Sequence, residues 1–368
     1  MKKLLLSATL LLSVATFAQK DELKTLKKIY SKETISDKDI AAYKTASDAL
    51  ETSATEESDK VYAKFYKTMY PTIVLASKGD KATIQDQMGL YNPEFIKQYG
   101  VVIDETIAFE KKSGKKIYTD ELIEEKKGFK ETLNALAGSL NNASKLKESS
   151  AIFYSLYLFD PKGEGKALNN AAILAVNSKE YKSAEKLYEE LANSDYMKSG
   201  MYYYATNKAN GNEEEIGSRE ERTKYISMGL YEKPRDVKVS RTKPDVLKIL
   251  AILYTQNGNM DKAKATYAEA RKLSPNDEEL KNGEFNIYFN SGYSGLAEDD
   301  KLVTEINNSR ADKKKYDELM QKRKEMFAKS LPDFEKAYSI NPNDANTKSI
   351  LKLTYEIIGQ PEKAKAIN

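Results

Sequence analysis

The chain contains no histidine, no cysteine and no tryptophan. Without histidine it lacks the commonest general base near neutral pH and the commonest ligand for zinc, copper or iron. Without cysteine it has no thiolate nucleophile, no disulfide, no thiolate metal site and no lipid-modified cysteine after a leader. Chemistry by Asp, Glu, Lys, Ser or Tyr stays open, but the composition points away from an enzyme, and no metal or cofactor site is expected. Proline and glycine are scarce, nine and seventeen in 368 residues, which argues against long structureless stretches. With 40% hydrophobic and 31% charged side chains the chain is too apolar for disorder and too long for one small core. Charge of one sign is also lacking. The formal net charge is +3, and Lys2 and Lys3 contribute two of those positives, so there is no electrostatic case for nucleic acid or an anionic membrane.

Residues 1–18 read as a leader. Met1-Lys2-Lys3 is the positive start, Leu4 to Val14 the short apolar run, and Thr16-Phe17-Ala18 a small-residue cleavage site. The run is shorter than the ~20 residues of a spanning helix, and Gln19-Lys20-Asp21-Glu22 follows at once. Cleavage after Ala18 is therefore expected, with no transmembrane segment later. The mature chain is expected in a bacterial periplasm, with secretion as the second choice, and its stability must come from packing alone.

What is present is a repeat. From about Lys130 a bulky aromatic recurs at Phe153, Tyr188, Tyr225, Tyr267 and Phe334, at intervals of 35, 37 and 42 residues and then 67, two periods with one landmark missing. A proline stands eight residues beyond three of them, at Pro161, Pro275 and Pro342. Proline cannot continue a helix, so each marks the end of a helix pair. Periods of this length signal a stacked helical solenoid.

In the unit at 244–277, Leu247, Leu250-Ala251 and Tyr254 lie on a first helix, Gly258 turns the chain, and Ala263, Tyr267, Ala270 and Pro275 complete a second. This spacing resembles the tetratricopeptide repeat. The unit from Lys130 follows the register through Leu133, Leu136, Ala137, Leu140, Ser149, Phe153 and Leu156. The next follows it through Leu168, Ala171, Ala172, Ala175, Tyr181, Ala184, Tyr188 and Leu191. Between about Met197 and Asp236 the match weakens, leaving Tyr225 and Met228, with 213–217 lengthening a turn. Lys314-Lys315-Tyr316, Lys322-Arg323, Ser330-Leu331-Pro332 and Asn341-Pro342-Asn343 resemble a stretch of exported repeat proteins from Bacteroidetes-type bacteria.

The expected fold is thus all-α, a tetratricopeptide-like helix-turn-helix solenoid with one overlength C-terminal helix. Residues 19–129 form an N-terminal helical region, 130–368 the repeat region. A long helix occupies about 307–340, which Pro332 is expected to kink or to meet on a strained inner turn, and 345–368 is a C-terminal cap. In the N-terminal region Ile40, Tyr43, Ala46 and Leu50 mark a helix started by Ser36 and Asp39. Val61, Phe65, Met69, Ile73 and Ala76 mark a second. Asn92-Pro93-Glu94 opens a third, which Ser113-Gly114 ends. After Pro275, 278–290 reads as a first helix with Phe285 and Tyr288 inward, broken by Gly292-Tyr-Ser-Gly295.

Of the 25 tyrosines, Tyr181, Tyr188, Tyr254, Tyr267 and Tyr288 fall at inward positions and read as core. Tyr202, Tyr203 and Tyr204 cannot all face inward on one helix, since successive residues turn by about 100°. The family resemblance implies a concave groove lined by first helices. It places Asn134, Asn141, Lys166, Asn169, Ile173, Asn177, Lys248, Ile252 and Thr255 on that wall, where an asparagine amide matches a peptide main chain in both donor and acceptor. The lysine-asparagine clamp by which some relatives grip a C-terminal carboxylate is not matched. Tyr316, Leu319 and Met326 on the overlength helix form a second candidate surface, which either closes back on the repeat or meets a partner.

The expected function is a non-catalytic protein-protein interaction scaffold of the periplasm. Its partner is an unidentified protein or peptide, and the sequence does not set the oligomeric state. Two alternatives stay open: a helical-toroid hydrolase using paired carboxylates such as Glu213-Glu214-Glu215 or Asp299-Asp300, and a small-ligand or glycan-binding protein. The basic runs at 313–315 and 322–324 are flanked by acids and read as a salt-bridged helix surface.

Overall fold

The computed structural model describes residues 19–367 except 84, 85, 87–89 and 91, so the leader and its cleavage site lie outside the described residues. The chain divides into two compact units, the first ending at Ser178 and the second starting at Lys179. Both are built from helical hairpins, the all-α tetratricopeptide-like architecture expected, with one inserted sheet.

The first unit holds α1 (19–30), α2 (Asp37–Ser53), α3 (Glu57–Ser77), α4 (Pro93–Ser113), α5 (Thr119–Asn142), α6 (Leu146–Phe159) and α7 (Gly165–Asn177). The starts follow from local chemistry. The Ser36 hydroxyl accepts from the Asp39 amide at 3.3 Å while the Asp39 carboxylate accepts from the Ser36 amide at 3.0 Å, a reciprocal capping box. Asn92 caps α4 through the Phe95 amide at 3.0 Å, with Pro93 in the first turn, where its missing N–H costs nothing. Tyr43, Phe65 and Tyr66 are fully buried, and the Phe65 and Tyr118 rings stack at 5.4 Å. The boundary drawn at 129/130 falls inside α5, whose polar first half carries too few apolar landmarks to show in the repeat register.

Two close fits hold this unit. Glu110 is completely buried and accepts from the amides of Ile117, Tyr118 and Thr119 and from the hydroxyls of Thr119 and Tyr62, at 2.6–3.1 Å. It thereby satisfies the free N–H groups that open α5. Burial opposes its ionisation most strongly, yet these hydrogen bonds together outweigh it and hold the carboxyl below its ordinary value. Elsewhere, α4 crosses α6 at Gly100, where a Cβ would overlap the Phe159 carbonyl. A backbone atom cannot swing aside as a side chain does. Gly100→Ala is expected to destabilise the protein by about 1–3 kcal/mol in urea unfolding; an unchanged midpoint would show that the helices part freely.

The second unit holds α8 (Tyr181–Asn193), α9 (Asp195–Ser199), β1 (Met201–Asn207), β2 (Glu213–Ile216), α10 (Arg219–Ser227), β3 (Tyr231–Lys238), α11 (Lys243–Gln256), α12 (Met260–Leu273), α13 (Glu278–Ser294), α14 (Asp299–Asn308), α15 (Lys313–Ile340), α16 (Ala345–Ile358) and α17 (Pro361–Ala366). The unit at 244–277 is the hairpin α11–α12. Gly258 turns it at φ 81°, and Ala251, Ala263 and Ala270 are fully buried where the helices approach. Tyr188 and Tyr267 are core residues, 2% and 6% exposed. Helices α6, α12 and α15 end just before Pro161, Pro275 and Pro342.

Several expectations need correction. Helices α7 and α8, read as one pair, fall in different units, and α8 packs on α11 through Tyr254 and Glu189, 2.5 Å apart. Tyr181, read as inward, is exposed, as is Leu136 of the repeat register, and Tyr288 is half-buried beneath Lys264 and Lys336. Helix α15 starts at Lys313, capped by Asp312, and 299–308 is a separate helix. Helix α13 runs on through Gly292 and Tyr293 to Ser294.

The largest departure is an antiparallel sheet, ordered β2-β1-β3, where the helical repeat was carried through Tyr225. Tyr225 lies half-exposed on the short α10 and Met228 is 60% exposed, so neither is a core landmark. The physical cause is legible afterwards. Aromatic and β-branched residues at 201–206 favour a pleated surface, and Asn210-Gly211, with φ 75° at the glycine, turns the hairpin. Tyr202 and Tyr204 share one face and Tyr203 takes the other, where the buried Arg222 lies over its ring at 5.2 Å and pairs with Asp236 at 2.6 Å.

Candidate functional site

Helices α13 and α16 open successive hairpins of the second unit, and a groove of about 480 Å³ runs beside them. Phe289 and Tyr293 line it from α13, and Asn346, Ser349, Ile350 and Leu353 from α16. The α13 wall is an aromatic ladder. Phe285, Phe289 and Tyr293 recur every fourth residue and so stand above one another on one helix face. Their rings stack at 5.9 Å and 6.0 Å with interplanar angles of 19° and 20°. Tyr293 is 60% exposed and Leu353 39%, and both belong to this one groove.

The ladder is braced from behind. Phe334, fully buried, meets Phe289 edge to face at 6.3 Å. Gly292 makes room for it, since a Cβ there would stand 2.8 Å from the Phe334 ring. Next to Phe334, the Asp333 carboxylate takes the Lys264 ammonium and the Ser291 hydroxyl, each at 2.7 Å, tying α12, α13 and α15 together. On α16, Asp344 caps the helix through the Thr347 amide at 2.7 Å and so sets Asn346 in the first turn. The Ser349 hydroxyl donates to the Ala345 carbonyl at 2.9 Å, whereas the Asn346 amide has no hydrogen-bond partner among the described residues.

No charged side chain lines the groove. The lining has no nucleophile set against a base and no paired carboxylates. Three of the carboxylates that invited a hydrolase reading, Glu213, Glu214 and Asp299, are engaged in structural contacts. Arg235 clamps Glu213 at 2.6 and 2.8 Å and holds it below the ordinary carboxylate range, and Glu214 is held by Asn207, Asn210 and Tyr231. Asp299 is forked by Arg323 at 2.6 and 2.8 Å. Among the described residues no group of three acidic side chains could hold a metal ion, and no helix is long and apolar enough to cross a membrane.

The nine residues named from sequence lie elsewhere. In the first unit, Asn134 and Asn141 are exposed on α5; Lys166, Ile173 and Asn177 are exposed on α7, with Asn169 half-buried. In the second unit Lys248 is engaged, 2.9 Å from Glu279, and the Thr255 hydroxyl donates to Ala251 at 3.0 Å, while Ile252 is exposed. None of them lines the ladder groove. Of the second surface, Tyr316, Leu319 and Met326 are half-buried. Met326 packs on the C-terminal core around Phe327, and α14 lies along α15 with Leu302 and Ile306 buried. The extra turns of the overlength helix therefore meet its own chain. The ladder was missed because Phe285 and Tyr288 were both turned inward and the helix was stopped at Gly292. The i, i+4, i+8 spacing of the three rings was the signal.

No family model matches the sequence, and no curated protein matches it. Among solved structures the chain is similar to YrrB, described as a TPR protein with an unusual peptide-binding site, at 15% identity and TM-score 0.30 over 68% of this chain and 89% of that one. It is also similar to a tetratricopeptide repeat protein from Parabacteroides merdae, at 17% identity and TM-score 0.23 over 92% and 98% of the two chains. The TPR domain of P58(IPK) follows at 14% identity and TM-score 0.22, over 94% and 99%. All three are tetratricopeptide repeat proteins. The likeness is distant, and the helical-hairpin architecture rests on the packing already described.

Proposed function

We propose that this protein is an exported, non-catalytic scaffold that docks a peptide or protein segment in the ladder groove of its second unit. The observation that carries this reading is the groove itself: a braced aromatic wall with Tyr293 and Leu353 open to solvent and no catalytic group in the lining. Large apolar side chains held rigidly at a surface give contact area at little entropic cost. Export through residues 1–18 would place the groove in the periplasm.

The test is to replace Tyr293 with a photo-crosslinking p-benzoylphenylalanine in cells that export the protein. Irradiation is expected to give a discrete adduct in the periplasmic fraction, reduced about tenfold when Leu353→Asp puts an unpaired carboxylate into the opposite wall. Adducts that are absent, or indifferent to Leu353→Asp, would remove the groove as the docking site.

A further inference from the structure

We infer that the far end of the inserted sheet is a docking tip for an anionic lipid bilayer. The insert leaves the helical repeat at Gly200 and returns at Val239, where the Val239 amide donates to the Gly200 carbonyl at 3.0 Å. From that base β1 runs about 20 Å to Asn207. Asn207 pairs with Tyr231, so two turns share the far end: 208–212 of the β1–β2 hairpin and 228–230 between α10 and β3. On the second turn Met228 is 60% exposed and Leu230 49%, and a Cβ on Gly229 between them would meet open space. Two side chains fall far short of the ~800 Å² that a stable interface takes from each protein partner. A bilayer asks only that a protruding apolar tip enter it.

A tip that enters lipid needs its main-chain donors satisfied beforehand, because hydrocarbon accepts no hydrogen bonds. Here they are. The Met228 amide donates to the Lys224 carbonyl at 3.0 Å, Gly229 to Ile226 at 2.9 Å and Leu230 to Tyr225 at 3.1 Å; the last two close a Schellman motif with Gly229 at φ 74°. The Lys208 amide donates to the Leu230 carbonyl at 3.0 Å and ties the two turns together. Behind the tip the half-buried Tyr225 and Tyr231 rings stack at 5.6 Å, with their hydroxyls bonded to Glu221 and Glu214. Tyrosine, apolar in body and polar at its end, suits the headgroup layer. Charge agrees. Lys208 and Lys224 are exposed at this end with no carboxylate partner among the described residues, whereas Glu214 is held by Tyr231 and Asn210, and Glu232 stands 3.5 Å from Lys233. Two unpaired ammonium groups beside an apolar tip match lipid phosphates above hydrocarbon. The near-neutral balance of the whole chain hides this local pattern.

The chain has no tryptophan, so Leu230→Trp carries its sole indole. With vesicles of equal parts phosphatidylglycerol and phosphatidylethanolamine at millimolar lipid, its emission is expected to shift to the blue and to be quenched by brominated acyl chains. Wild type should co-float with the same vesicles. Met228→Ser/Leu230→Ser should lower that partitioning about a hundredfold, and Lys208→Gln and Lys224→Gln about fivefold each, with high salt removing the lysine effect. All four side chains are exposed, so the variants should melt with wild type, which separates lost docking from lost folding. Emission indifferent to lipid, or flotation indifferent to Met228→Ser/Leu230→Ser, would overturn the tip. Equal partitioning into phosphatidylcholine vesicles would overturn the preference for anionic lipid. A blue shift seen without lipid as protein concentration rises would assign the tip to a second copy of the chain instead.

Discussion

Glu110→Ala is expected to cost about 3–5 kcal/mol in the stability of the first unit, read as a lowered urea midpoint. Among the described residues the carboxylate is the sole hydrogen-bond partner of three amides at the head of α5, and it also accepts from the Tyr62 and Thr119 hydroxyls. Its removal leaves the buried Tyr118 and Thr119 donors with no acceptor. Glu110→Gln separates charge from shape, because an amide keeps one acceptor oxygen and brings donors that clash with the N–H groups. The pH dependence has a definite sign. The folded carboxyl titrates below its ordinary 4.5, so its contribution is fully present above that value and is lost as pH falls through the lower folded pKa. Wild type should therefore lose more stability on acidification below about pH 4.5 than Glu110→Gln does. Parallel acid-unfolding curves would show that the carboxylate is not ionised in the fold.

Much of the architecture was legible because its determinants are local. Ser36 with Asp39, Asn92 with Pro93, Gly258, and the prolines at 161, 275 and 342 each set a helix end through chemistry within a few residues. Buried small residues at 251, 263 and 270 fixed a hairpin in the same way. What stayed hidden depends on distant partners. The helix at 299–308 is mostly polar and is held by Leu302, Ile306 and the Asp299–Arg323 fork, twenty-four residues apart in sequence. The sheet owes its inner face to Arg222, which reaches the Tyr204 and Arg235 carbonyls at 3.2 and 3.0 Å. An arginine in the mixed-charge run Arg219-Glu220-Glu221-Arg222 gives no sign of that. The groove combines both cases: the rings of α13 recur with helical period in the sequence, but the wall facing them comes from α16, some sixty residues on. Sequence shows the rungs and cannot show what stands opposite.

Phe334→Ala is expected to destabilise the second unit by about 3–5 kcal/mol and to abolish binding in the groove. The ring is fully buried, fills the space Gly292 leaves open, and meets Phe289 at 6.3 Å. Truncation removes these contacts and leaves a cavity behind the ladder, into which Phe289 can tip. Phe334→Leu distinguishes the two effects. Leucine restores much of the volume but has no ring edge for Phe289 to rest on, so thermal unfolding should recover further than peptide binding does. Gly292→Ala strains the same contact from the other side, pushing a methyl group against Phe334, and should weaken binding. If Phe334→Leu lowered stability and binding in strict proportion, the ladder would be a passive part of the core. Binding lost beyond the stability change means that the ring behind the groove sets the rungs in front of it.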